Sequence, residues 1–242
     1  MVSQAIDKKW LLRFEEAAKK NIPNYQKSLW SSRRNHLNRI NLFLELFNKN
    51  IKNKPKVLDV GCGPGEYCSL IANKCEQVIG MDFSYEILRI AKKDKKHKNL
   101  NYIKGDINNL PFENNSFDVV ASIGLLQCIK EYKQGIKEMD RVLKQNGFLI
   151  VSTLRKPESL LELFPLFVYL LLAKGFNFSK MLDIVKNRGF FKKYGDKMVV
   201  RHNPFDMKSF LKKNGYKNIR IYYLDPAFAR FSSNEFIIIA HK

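Results

Sequence analysis

The stretch Val57-Leu58-Asp59-Val60-Gly61-Cys62-Gly63-Pro64-Gly65 decides the fold. Apolar residues run as a short strand straight into a turn with glycine at every second position. Glu66-Tyr67-Cys68-Ser69-Leu70-Ile71 then begins a helical stretch. Glycine lets a chain turn tightly and lets a ligand approach the backbone closely, and the following helix offers free N–H groups. Asp59 stands just before the turn. A pyrophosphate would want no carboxylate there, whereas a ligand carrying positive charge would.

Outward from this turn, β-branched runs alternate with helical ones. Strands are expected at Lys56–Val60, Gln77–Met81, Leu100–Lys104, Phe117–Ser122 and Gly147–Thr153, with helices at Glu66–Asn73, Tyr85–Lys93 and Tyr132–Leu143. Such alternation implies right-handed βαβ crossovers and a parallel sheet. A helix at Asp206–Asn214 and strands at Lys217–Leu224 and Glu235–Ala240 close the chain. The stretch Asp225–Asn234 is too short for a helical crossover, so the last two strands should pair antiparallel. Before the sheet, Ser3–Lys20 and Trp30–Asn50 read as helices; in the second, Leu37, Ile40, Leu44 and Phe47 form a stripe at helical steps.

With these residues in view, the chain resembles the class I S-adenosylmethionine-dependent methyltransferases, in the branch that acts on quinones and other small molecules. Five landmarks carry the resemblance over about a hundred residues. They are the glycine turn; Val78-Ile79-Gly80-Met81-Asp82-Phe83-Ser84; Gly105-Asp106-Ile107; Leu110-Pro111-Phe112 with Ser116-Phe117-Asp118-Val119-Val120; and Glu138 with Arg141-Val142-Leu143-Lys144 and Gly147-Phe148-Leu149-Ile150. The resemblance implies an α/β, Rossmann-like fold. Its sheet is mostly parallel and seven-stranded, with an antiparallel last strand, N-terminal helices and a helical insertion after the fifth strand. It implies S-adenosyl-L-methionine as cofactor, held by Asp59, Gly61, Gly63, Gly65, Asp82, Phe83, Asp106, Ile107 and Ser122. In that family Asp82 would accept the two ribose hydroxyls and Asp106 the adenine amino group, with Asp59 orienting the turn and meeting the amino-acid end. Bland alternatives stand beside these: Asp106 as a helix cap, Phe83 and Ile107 as core, Cys62 as a small filler.

The implied reaction leaves few marks, and no catalytic residue is named. Ser122-Ile123-Gly124-Leu125-Leu126-Gln127-Cys128 lacks the Asn/Asp-Pro-Pro-Tyr/Phe pattern of enzymes that methylate amino groups, and lacks the histidine common in the small-molecule branch. Of four histidines, His97 and His241 read as solvated, while His36 and His202 could stand at the mouth of the site, with a structural role open for each.

Composition bounds the rest. Residues 1–54 form a helical segment expected to cover the site, and 55–242 the methyltransferase domain. Within it, 155–203 is rich in leucine and aromatics and reads as a lid over an apolar or aromatic acceptor. The net charge of +20 divides into +9 over 1–56, +1 over 57–154 and +10 over 155–242. Basic flanks around a neutral centre keep open an RNA acceptor and a peripheral contact with anionic lipid. A cofactor-binding partner without catalysis is the third reading. The four cysteines, at 62, 68, 75 and 128, match neither a metal knuckle nor a redox pair. With no leader pattern in Met1–Lys9, a cytoplasmic protein with reduced thiols and no metal is expected. The oligomeric state is not legible.

Overall fold

The computed structural model describes residues 8–20, 22–27, 33–129, 131–156, 199–224 and 235–242. The expected lid falls, from 157 to 198, outside the described residues, as does the stretch 225–234.

Seven strands form one sheet: β1 (Lys56–Val60), β2 (Gln77–Asp82), β3 (Leu100–Lys104), β4 (Phe117–Ile123), β5 (Leu143–Leu154), β6 (Lys217–Tyr223) and β7 (Glu235–His241). Their order is β3-β2-β1-β4-β5-β7-β6. Strands β1 to β5 pair in parallel, and β7 runs antiparallel to both β5 and β6. The fold is thus the Rossmann-like α/β architecture expected. The described helices are α1 (Lys8–Lys19), α2 (Asn24–Lys27), α3 (Arg33–Asn50), α4 (Glu66–Ile71), α5 (Tyr85–Lys93), α6 (Tyr132–Val142) and α7 (Pro204–Lys213).

Helices on both faces explain why the central strands read as apolar runs rather than alternating ones. Val57, Val119, Ala121 and Ile150 face a core shared with Phe43, Leu46, Phe47 and Ile71 of α3 and α4. Their neighbours Leu58, Val120, Leu149 and Val151 face a second core with Ile136, Met139, Met207 and Leu211 of α6 and α7. From β1 the successive strands are added first on one side (β2, β3) and then on the other (β4, β5), and such a switch point between parallel strands opens a crevice at their carboxyl ends.

The observed elements differ from the expected ones in three instructive places. Strand β5 begins at Leu143 rather than Gly147; the register against β4 shifts between Phe117 and Val119, and Asn146 takes a positive φ of 63°, so a bulge hides the early start. Helix α7 begins at Pro204 because Asn203 caps it, its side-chain oxygen accepting from Phe205 N and Asp206 N at 2.7 and 3.2 Å. Proline suits the first helical position, whose N–H would be unbonded anyway.

The third concerns α3. Its buried stripe is His36, Arg39, Ile40, Phe43, Leu46 and Phe47, whereas Leu37 is 46% exposed. The stripe is rotated from the apolar one because two polar residues belong to it. Arg39 forms a two-pronged ion pair with Glu235, Nε to Oε1 and Nη2 to Oε2, the latter at 2.8 Å. That pair ties α3 to the start of β7 across 196 residues of chain. The ring of Phe43 meets Tyr67 of α4 edge-on at 5.2 Å.

Two of the sequence landmarks find a mechanical role. Arg141 on α6 donates to the carbonyls of Leu110 and Phe112 at 2.9 and 2.8 Å, while Glu138 accepts from Leu110 N at 2.9 Å. Together they pin the segment before β4 to α6. Among the described residues, no helix is long and apolar enough to cross a membrane.

Candidate functional site

The turn after β1 is fixed by its neighbour β2 through three hydrogen bonds, and a fourth holds the loop after β2. Gly61 N and Cys62 N both donate to Met81 O, at 2.7 and 3.0 Å. Gly63 N donates to one carboxylate oxygen of Asp82 at 2.9 Å, and Ser84 N donates to the other at 2.9 Å. Asp82 therefore clasps two loops at once. Burial pushes its carboxyl above the ordinary value, while the N–H groups of Ser84, Gly63 and Phe83 pull it back. A carboxylate can accept about four hydrogen bonds, so Asp82 keeps acceptor capacity for a ligand.

Glycine is required where this turn runs tight. Gly61 has φ of 78°, and a Cβ there would lie 2.8 Å from the side chain of Leu125. Gly65 has φ of 83°, and a Cβ there would lie 2.1 Å from the Tyr102 hydroxyl. That hydroxyl donates to Gly65 O at 3.2 Å, so the turn is gripped from below as well.

A cavity with about 930 Å³ of empty space, its open mouth included, lies over this turn. Gly61, Gly63, Asp82, Phe83 and Ile107 line it, and with them Cys62. The other expected site residues stand elsewhere. Asp59 is buried on the α4 side of the sheet, where Cys68 Sγ donates to its Oδ2 at 3.2 Å; its Oδ1 has no hydrogen-bond partner among the described residues. Burial pushes its pKa up to about 7, against the pull of the Cys68 thiol, and the charge of Asp82 adds to the rise. Gly65 is not part of the lining. Asp106 turns back on its own chain, accepting from Asn108 N at 3.0 Å in a tight turn that no helix follows, so it is not the helix cap open to it in the sequence. Ser122 is fully buried beneath the crevice.

His36 of α3, one of the two histidines offered for the mouth of the site, is in the lining; Leu11 and Phe14 of α1 line it without a sequence signal of their own, as do Ile123, which ends β4, and Gly124, Leu125 and Cys128 after it. His36 is 4% exposed, and its Nε2 lies 2.8 Å from Glu66 Oε2. Both line the cavity. His202 instead sits behind the wall, its Nε2 3.0 Å from Leu126 O, and burial lowers its pKa. Burial likewise lifts the Cys62 thiol to about 11, so it is a protonated filler at neutral pH. No group of three or more His, Cys, Asp or Glu side chains is arranged to hold a metal among the described residues.

Among the described residues, the acidic and imidazole groups on the cavity wall are Asp82, Glu66 and His36. Around them the surface is apolar, the usual make-up of a small-molecule site.

Residues 58–151 match the family described as "Methyltransferase domain". The chain is similar to the demethylmenaquinone methyltransferase of Staphylococcus haemolyticus, 36% identical over 112 residues, which are 45% of this chain and 47% of that one. It is similarly 37% identical to the enzyme of the same name from Staphylococcus saprophyticus, over 45% of this chain and 48% of the other. The matching region spans about half the length of these curated relatives. In fold the chain is similar to the magnesium protoporphyrin IX methyltransferase of Synechocystis, a structure with bound SAH, at a TM-score of 0.62 and 17% identity over 97% of this chain and 94% of that one. It is also similar to a SAM-dependent methyltransferase from Aquifex aeolicus, at 0.59 and 19% over 92% and 99%.

Proposed function

We propose that the chain, whose residues 58–151 match the methyltransferase domain family, transfers a methyl group from S-adenosyl-L-methionine to a small apolar or aromatic acceptor. The observation that carries this reading is Asp82. It is a carboxylate at the carboxyl end of β2, lining the cavity and locked to the glycine turn through Gly63 N. A ribose diol placed there finds a paired acceptor whose orientation two backbone N–H groups already fix. Apolar flanks for a flat base stand beside it in Phe83 and Ile107. The cofactor carries a sulfonium, an ammonium and a carboxylate, net positive, and the described residues of the wall hold two acids beside one histidine. Cavity and ligand charge therefore complement each other.

When bound, the cofactor supplies an electrophilic methyl whose departure leaves a neutral thioether, so the leaving group needs no acid. The chain's part is binding and alignment, which can lower a barrier by roughly 7–11 kcal/mol in favourable cases. Leu11, Phe14, Ile123, Leu125 and Cys128 supply apolar wall to the cavity. They offer an apolar acceptor a dry contact surface. The names of the staphylococcal relatives and of the porphyrin enzyme favour a quinol or another flat ring system. An RNA acceptor rests on flank charge alone and is not carried forward.

Calorimetry with S-adenosylhomocysteine tests the cofactor site. Asp82→Asn should weaken binding about tenfold or more, the worth of a hydrogen bond to a charged group, and should also lower the thermal midpoint, because its amide nitrogen would face the N–H of Gly63 or of Ser84. Equal affinity in the variant would mean that the ribose lies elsewhere. Transfer of a labelled methyl to a short-chain naphthoquinol tests the acceptor class; turnover on other acceptors alone would overturn the quinol assignment.

A further inference from the structure

We propose that His202 is a positioning residue: from behind the cavity wall it sets where Leu125 and Cys128 stand, and so which acceptor fits. The assignment rests on the methyltransferase reading above, in which that wall meets the acceptor.

The wall is a short turn outside the sheet. Strand β4 ends at Ile123, and Gly124, with φ of 80°, leads the chain away. Leu125 and Cys128 then line the cavity. Between them the backbone closes on itself, Cys128 N donating to Leu125 O at 2.8 Å and Ile129 N to Leu126 O at 3.1 Å. The side chain of Leu126 is fully buried in the core. Apolar burial has no direction of its own, so the tilt of the turn depends on what holds its carbonyls.

Residues 199–202 supply that hold. Among the described residues, they make the hydrogen bonds that reach the turn from elsewhere in the chain. Val200 N donates to Gln127 O at 2.8 Å, and His202 Nε2 lies 3.0 Å from Leu126 O. This strap is itself fixed to the end of β5, His202 N donating to Leu154 O at 2.9 Å and Lys156 N to His202 O at 2.8 Å. The cavity wall is therefore hung from β5 through His202.

The imidazole is suited to holding. A carbonyl only accepts, so Nε2 carries the proton. The ring is 6% exposed and meets Tyr132 edge-on at 4.5 Å, with Phe210 packed on Tyr132 in turn. Burial lowers its pKa, so it is neutral at pH 7. It does not line the cavity and reaches the site through the turn. A wall fixed in advance spares ordering cost when an acceptor enters, and a shift of about 1 Å in such a support can cost about a hundredfold in rate.

The test separates acceptor from cofactor. His202→Leu removes the donor, while His202→Gln returns one, its amide nitrogen standing where Nε2 stood. KM and kcat are measured with two probes, a short-chain naphthoquinol and a short-chain benzoquinol, and S-adenosylhomocysteine affinity by calorimetry. His202→Leu should raise the naphthoquinol KM about fivefold, with kcat and S-adenosylhomocysteine affinity within about twofold. The ratio of kcat/KM between the quinols should shift by about threefold or more, and His202→Gln should restore most of it. A purely structural loss lowers the active fraction for both quinols alike and leaves that ratio fixed. An unchanged ratio would overturn the proposal, as would an equal loss of cofactor affinity or a Gln variant no better than Leu. Should His202→Leu fail to fold, Val200→Pro takes the N–H from Gln127 O and must shift the same ratio; no shift overturns the proposal. A wild type inert toward both quinols would sink the acceptor class instead. Amide exchange by NMR then decides: Cys128 and Ile129 must exchange faster in His202→Leu with β1 to β3 unchanged, and equal rates overturn the proposal.

Discussion

The two ends of the cavity are built in different ways. At the Asp82 end, the parts lie within a few dozen residues of one another, and the geometry is made largely by backbone: Gly61, Gly63 and Ser84 N–H groups, a strand-end carbonyl and one carboxylate. At the His36 end, side chains from α3 and α4 meet, and α3 is held in place by a residue 196 positions away. One end is a local motif, the other a tertiary assembly. The difference predicts that the two can be damaged separately.

The largest effect should come from Glu235→Ala. It leaves the Arg39 guanidinium buried without its carboxylate, and removing one member of a buried pair costs about 3–5 kcal/mol. Urea denaturation should show a lower midpoint and an extrapolated unfolding free energy reduced by that amount. The sharper outcome concerns the ligand: S-adenosylhomocysteine, gripped at the Asp82 end, should still bind the folded variant. If its affinity falls with the stability, the ends are not independent and the comparison breaks. Replacing both partners by apolar residues, Arg39→Met with Glu235→Leu, should recover most of the stability, since a buried pair is often matched by well-packed hydrophobes.

Legibility divides along the same line. The glycine turn, Asp82 and the strand alternation were open to inspection because strand, turn and helix chemistry are local, and their residue types are set by backbone geometry. Sequence reading also found that α3 is a helix, yet turned its stripe toward Leu37 and Leu44. The period was right and the phase wrong. Counting His36 and Arg39 as members of the stripe restores the phase, at 36, 39, 40, 43, 46 and 47. A polar residue at core spacing was the available signal, and it marks a buried partner elsewhere in the chain. Which partner it marks, Glu66 or Glu235, depends on how sheet and helices close together, and no local pattern encodes that. The same reasoning explains Asp106 and Asp59. Their place in the motif is local and was read, but whether each carboxylate faces the cavity or turns into the protein is decided by neighbours such as Asn108 and Cys68.

A middle-sized effect probes the local end. Gly65→Ala forces a side chain into a left-handed backbone position, at a cost of about 1–3 kcal/mol, and drives its Cβ against the Tyr102 hydroxyl. We expect a loss of about 3 kcal/mol and a thermal midpoint lowered by several degrees. Adding Tyr102→Phe removes the nearest atom and should return part of the loss, about 1 kcal/mol. No rescue in the double variant would locate the whole cost in the backbone.

The smallest effect has the opposite sign and lies between the two ends. Asp59 is buried under the turn, one oxygen bonded by Cys68 and the other without a hydrogen-bond partner among the described residues. Its pKa is raised from 3.8 to about 7 by burial, with the charge of Asp82 adding to the rise. The direction of its linkage follows. Below pH 3.8 the folded and unfolded chains both carry this proton, and the group contributes no pH dependence. As pH rises, the unfolded chain releases the proton first while the folded protein keeps it until about pH 7. The unfolded state therefore binds fewer protons over that window, and stability falls with rising pH until it levels off above it. Asp59→Asn keeps an acceptor for the Cys68 thiol and removes the titration. It should be more stable than the wild type at pH 8, by about 2 kcal/mol, and the two should converge near pH 4. Denaturant midpoints measured at both pH values check this. A variant less stable than the wild type at pH 8 would mean that the Asp59 charge is met by a partner on folding, and would return this carboxylate to the ligand-facing side of the site.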